Sequence, residues 1–103
     1  MFHELRTYRP IPGRHGELLA HTKNNIVPLY DKYGITAQGM WIVEIGPDVG
    51  NVVQLWEWRD LDTRMRAMDA LHSDADYLAR MKEIAESAGA LTDRLQSVLL
   101  RDV

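Results

Sequence analysis

The stretch AQGMWIVEIGPDVGNVVQLWEWR, residues 37–59, decides the fold. Two runs rich in Val, Ile and Trp flank Gly46-Pro47-Asp48-Val49-Gly50. Glycine supplies positive φ and proline fixes its own φ, so these five residues read as a turn. β-Branched and aromatic side chains suit a pleated, half-buried surface. Residues 37–45 and 51–59 are therefore expected to be strands, and so short a connection pairs them antiparallel.

Upstream, residues 13–33 are helical in composition, with Leu18, Leu19, Thr22, Ile26, Leu29, Tyr30 and Tyr33 on one broad apolar stripe. Gly34 takes the usual C-terminal glycine position. Pro28 lies inside this stretch and lacks a backbone donor, so it should kink or split the helix. Before it, residues 2–9 alternate in character until Pro10 and Pro12 stop them, as a strand would. Downstream, Asp60-Leu61-Asp62-Thr63 offers N-caps, and Leu61, Met65, Met68 and Leu71 follow at helical spacing. Ser73-Asp74 is a second start signal, followed by Tyr77, Leu78, Met81, Ile84, Ala85 and Ala88, with Gly89 as the stop. Asp74 and Asp76 suit the N-terminus of that helix, where a capping role outweighs a catalytic one. Residues 95–101 read as a last strand. The order β-α-β-β-α-β is that of a ferredoxin-like α+β domain: one antiparallel sheet with helices on one face, filling residues 1–103 as a single domain.

The chain has 103 residues, a formal charge of −3 and no cysteine. A chain so short buries a limited core, which favours association. The charge and the lack of a basic cluster disfavour nucleic acid. No apolar run reaches membrane-span length and the charged opening is unlike a signal peptide, so no membrane contact and a cytoplasmic location are expected. His3, His15, His21 and His72 have no metal-ligand spacing, and His72 at a helix break is a poor axial ligand for haem. No nucleophile elbow or phosphate-binding glycine fingerprint is present. No metal and no cofactor are expected.

Strand periodicity sorts the remaining candidates. Phe2, Glu4, Arg6 and Tyr8 share one face of the first strand, and Val52, Gln54, Trp56 and Trp58 share one face of the third. Leu5, Val53 and Leu55 are compact and suit packing beneath helices. On that assignment the face with Tyr8, Trp56 and Trp58 is open, and a monomer rarely leaves such a patch uncovered. A homodimer, or a higher homo-oligomer, would cover it and enclose a cavity suited to a small molecule. Arg6 is suited to holding a carboxylate or enolate oxygen, Tyr8 to donating to an oxyanion, and Glu44, if buried, to acting as a general base. The faces of Trp41 and Glu44 depend on a hairpin register the sequence leaves open. The candidate binding set is Arg6, Tyr8, Trp41, Glu44, Gln54, Trp56 and Trp58. Packing and dimer contacts are the commoner roles of its aromatic members.

Several segments resemble one family. Glu4-Leu5-Arg6-Thr7-Tyr8 with Pro12-Gly13 is similar to the opening of NIPSNAP proteins. Pro28-Leu29 with Gly34-Ile35, Trp41 with Glu44-Ile45-Gly46-Pro47, and Val52-Val53-Gln54-Leu55-Trp56 with Leu61 and Arg64 continue the likeness in order, to about residue 77. The resemblance implies the dimeric α+β barrel superfamily, in which two ferredoxin-like subunits bring their sheets together. It supplies no reaction. Related barrel families include cofactor-free monooxygenases, haem proteins similar to chlorite dismutase, and stress-response proteins. Many relatives carry histidine where this chain has Gln54, which counts against an imidazole-dependent site there. Three functions are left: a small-molecule-binding dimer, which is favoured; a cofactor-independent oxygenase or isomerase acting on an aromatic or polyketide-like compound; and a structural or interaction protein without a ligand.

Overall fold

A computed structural model describes residues 1–87 and 89–103 of the chain. Ala88, expected on the last helix, lies outside the described residues. Strand β1 spans Phe2–Pro10, helix α1 His15–His21, β2 Thr36–Ile42, β3 Val52–Trp58, α2 Leu61–His72, α3 Ala75–Ser87 and β4 Thr92–Arg101. The sheet order is β2-β3-β1-β4, with every neighbouring pair antiparallel. This is the expected ferredoxin-like arrangement. The second strand is shorter than expected, and the last starts earlier.

Pro28 breaks the first helical region as expected. α1 runs into a π-helical turn, Thr22–Ile26, in which the Val27 N–H bonds to the Thr22 carbonyl five residues back. Pro28 is the second residue of a short 3-10 turn, Val27–Leu29, within the first turn where its missing N–H costs little. A second 3-10 turn, Asp31–Tyr33, ends at Gly34 with φ of 68°, a left-handed conformation that glycine adopts freely. At the next helix start, the Asp60 carboxylate caps α2 by accepting the Thr63 N–H at 2.7 Å. Asp74 caps α3 through the Tyr77 N–H at 2.9 Å and also accepts from Lys32 at 2.8 Å and from the Tyr33 hydroxyl. It thereby ties the start of α3 to the turn that ends the first helical region. Lys32, then Tyr33, hold the Asp74 carboxyl well below the usual carboxylate range.

The core lies between sheet and helices. Tyr30, Ile35, Trp56, Trp58, Ala67, Met68 and Leu71 form its main cluster, and Leu18, Val52 and Leu91 a second. These contacts reverse the expected face assignment. Glu4, Arg6, Gln54, Trp56 and Trp58 are buried against the helices, with Tyr8 half-buried on the same side. Leu5, Val53 and Leu55 lie on the open face instead. The polar face can go inside because its charges and amides pair with one another, which removes most of the cost of burying them.

Two further placements differ from expectation. Trp41 pairs with Val53 in the register, so it lies on the open face, 52% exposed. Its ring folds back over Gly39, where an added Cβ would meet ring carbons at 2.6 Å. Glu44 follows the end of β2, exposed in the connection to β3, so it lacks the burial a general base would need.

Candidate functional site

Five donors converge on the Glu4 carboxylate, which has no exposed surface. Arg64 spans both oxygens, from Nε to Oε1 at 2.7 Å and from Nη2 to Oε2 at 3.1 Å. Trp58 Nε1 donates to Oε1 at 2.9 Å, Arg6 Nη1 to Oε2 at 2.8 Å, and the Ser97 hydroxyl also donates to Oε2. Burial alone would raise the Glu4 pKa. The hydrogen bonds from Arg64, Ser97, Arg6 and Trp58 outweigh it and hold the group at about 2. Trp58 is thus a clamp for this carboxylate.

Arg6 links the carboxylate to a second network. Its Nε donates to the Tyr8 hydroxyl at 2.9 Å, and its guanidinium carbon lies 4.4 Å from the centre of the Trp56 ring. Tyr8 donates onward to Gln54 Oε1 at a long 3.4 Å, and Tyr30 donates to the same oxygen at 3.0 Å. Gln54 returns its amide to the Met40 sulfur at 3.6 Å. Burial, as the main cause, pushes the Tyr30 hydroxyl above its ordinary range. Trp56 meets Tyr30 and Trp58 edge to face, and its buried Nε1 has no partner among the described residues.

Beside this network a cavity of about 460 Å³ opens between sheet and helices. The expected cavity between the sheet and a partner thus has a counterpart inside the single chain. Arg6, Tyr8 and Trp56 line it, while Gln54 and Trp58 stand behind them. Most of the remaining wall is apolar and includes Leu18, Leu71, Met81 and Ile84. No residue of α3 is buried, although Tyr77, Met81, Ile84 and Ala85 line the space; α3 stands off the sheet as an outer wall.

His21 also lines the cavity, which the sequence reading missed. It is buried, its Nδ1 lies 3.0 Å from the Asn25 amide, and burial lowers its pKa. The signal was available: His21 stands three residues after Leu18 and one before Thr22, on the edge of the apolar stripe. His72 is exposed at the rim of the same space, with its ring 5.7 Å from that of Tyr77. No cluster of His, Cys, Asp or Glu able to hold a metal ion occurs among the described residues. No helix among them is long and apolar enough to cross a membrane.

The NIPSNAP family model matches residues 3–103. No curated protein matches the chain. Among solved structures, a NIPSNAP domain protein from Burkholderia xenovorans superimposes with a TM-score of 0.85 at 24% identity, over 100% of this chain and 95% of that one. A NIPSNAP family protein from Agrobacterium tumefaciens gives a TM-score of 0.85 at 20% identity, over 99% of this chain and 92% of that one. An antibiotic biosynthesis monooxygenase gives a TM-score of 0.62 at 15% identity, over 100% of this chain and 99% of that one. At these identities the structural likenesses establish the fold.

Proposed function

Because the chain belongs to the NIPSNAP family, we propose that it is a small-molecule-binding protein that holds its ligand between sheet and helices of each subunit and works as a homodimer. The observation that carries this reading is the cavity of about 460 Å³, apolar in most of its wall, on which Arg6, Tyr8 and His21 converge. Its size and make-up are those of small-molecule sites, which run from about 300 to 1,000 Å³. The test is calorimetry with 2-naphthamide, a neutral aromatic probe. One molecule should bind per chain, and Ile84→Trp, which fills the space from α3, should abolish the binding. Equal binding by the Ile84→Trp protein would place the probe elsewhere and sink the reading.

The dimer is supported by the open face. Leu5, Val53, Leu55, Val98, Leu100 and Trp41 form an apolar surface that nothing among the described residues covers. Strand β4 is at the sheet edge and exposes apolar residues on both faces, Leu95 and Leu99 on one, Val98 and Leu100 on the other. Apolar surface of this extent marks an interaction site. A second copy supplies a matching sheet. Leu55→Asp is expected to leave the fold intact, because Leu55 does not face the helices. It should weaken association by roughly a hundredfold or more, the cost of an unpaired charge in an interface. Sedimentation at micromolar concentration should show a parent dimer and a variant monomer. A parent that sediments as a monomer would remove the dimer.

A second reading is an enzyme acting on an aromatic compound, and one observation favours it. His21 is buried at the cavity and desolvation lowers its pKa, so its ring is neutral near pH 7; its Nδ1 accepts from the Asn25 amide and becomes a proton acceptor for a ligand where that amide turns away. Release of a proton from a bound carbon acid, lost in His21→Ala with binding retained, would distinguish it from simple binding.

A further inference from the structure

Two guanidinium groups share a single carboxylate at the centre of this fold. Arg6 and Arg64 both bond to Glu4, so the trio carries one surplus positive charge. Arg64 takes the paired geometry, with two of its nitrogens on the two carboxylate oxygens. Arg6 reaches Glu4 through Nη1 alone and spends Nε on a neutral hydroxyl, which leaves Nη2 without a protein partner among the described residues. Arg6 is 8% exposed and lines the cavity. No Asp or Glu lines the cavity among the described residues. A cation so placed lacks a full counter-charge, and a buried charge is costly until it has one.

The neighbouring hydroxyl is also only partly used. Tyr8 donates to Gln54 Oε1 at 3.4 Å, beyond normal hydrogen-bond length, and that oxygen already receives the shorter bond from Tyr30. Turning the Tyr8 hydrogen toward a new acceptor would leave Gln54 Oε1 satisfied. Arg6 Nη2 and the Tyr8 hydroxyl are thus two donors beside an apolar chamber.

Resting on the small-molecule reading above, we propose that the ligand is an apolar carboxylic acid in its ionised form, its carboxylate held by Arg6 and Tyr8 and its hydrocarbon body packed against Leu18, Leu71, Met81 and Ile84. Guanidinium matches a carboxylate in shape and charge, and a bond to an ionised group is the stronger kind. The apolar wall supplies the rest of the affinity and excludes small hydrated anions.

The experiment compares 2-naphthoate with 2-naphthamide, which share a ring system and differ in charge, by calorimetry on the intact protein. The naphthoate should bind more tightly by about ten- to a hundredfold, the worth of a hydrogen bond to a charged group. Arg6→Met keeps the length of the side-chain stem, and Glu4 keeps Arg64, Trp58 and Ser97. This variant should lose the preference for naphthoate and still bind the amide, while Arg6→Lys should keep part of the preference. Equal affinity of the parent for the two probes would overturn the anion assignment and leave the cavity reading standing. Binding of neither probe would overturn both. A preference undiminished in Arg6→Met would also overturn the assignment. If Arg6→Met fails to fold, the comparison on the parent protein decides by itself.

Discussion

Glu4→Ala is expected to lose about 3–5 kcal/mol of folding stability, the cost of removing one partner from a buried ion pair. The substitution strips the partner from Arg64, Arg6, Trp58 and Ser97 at once. Arg64, partly exposed, can turn to water. Arg6 and the Trp58 N–H cannot do so fully, because both are buried. Domains of this size are stable by roughly 5–15 kcal/mol in all, so the variant should be marginal or unfolded. The urea midpoint of unfolding would measure it; a shift of less than about 1 kcal/mol would mean that the five bonds offset little more than the cost of burying the group. The same carboxylate sets an acid limit. Its pKa falls from 4.5 to about 2 on folding, so the folded state binds the proton less well than the unfolded chain does. The stability it contributes is complete above about pH 4.5 and is lost as pH falls toward 2. The loss over that window is on the order of 3 kcal/mol. Asp74, also held low by its partners, acts in the same direction.

Trp56→Ala should cost a similar amount, about 3–5 kcal/mol, as large-to-small changes at buried aromatics do. The ring is 1% exposed and packs against Tyr30 and Trp58 with centroid distances of 5.2 and 6.0 Å. Its removal would also take the π-face from under Arg6, worth about 0.5–2 kcal/mol. Trp56→Phe separates packing from polarity. Because the buried Trp56 N–H has no partner among the described residues, phenylalanine sacrifices no hydrogen bond and should recover more than half of the loss. A Phe variant as unstable as the Ala variant, by thermal or urea unfolding, would show that the indole N–H is satisfied after all.

The order of elements along the chain, the hairpin, the break at Pro28 and the capping role of Asp74 are all legible in the residues, because turn chemistry, a missing donor and helix caps are local. The direction of the sheet faces is not local. Alternation places Glu4, Arg6 and Tyr8 together but is symmetrical about the sheet plane, so it cannot say which side meets the helices. Side-chain character misleads here. Leu5, Val53 and Leu55 look like core, yet the inward face is the one with Glu4, Arg6 and Gln54, whose partners Arg64, Ser97 and Tyr30 are distant in sequence. Arg6, Tyr8 and Trp56 come together at the cavity as a set, while Trp41 and Glu44 separate from them through the β2–β3 register and the early end of β2. His21 escapes because a search for metal spacing compares histidines only with one another.

The placement of β1 between β3 and β4 has a consequence for how the chain acquires its structure during synthesis. β1 is made before the other strands of this sheet yet is flanked by the third and the fourth, and Glu4 waits for Trp58, Arg64 and Ser97 in turn. Its last donor is 93 residues away. Contacts so distant in sequence are slow to form, since the closure of a long loop precedes the gain from it. Until β4 emerges, the acidic and basic side chains of β1 have only part of their final company, and one edge of β1 remains open to other chains. The charges Glu4 and Arg6 on that nascent edge discourage mispairing, so the residues that later anchor the interior first serve as guards against aggregation.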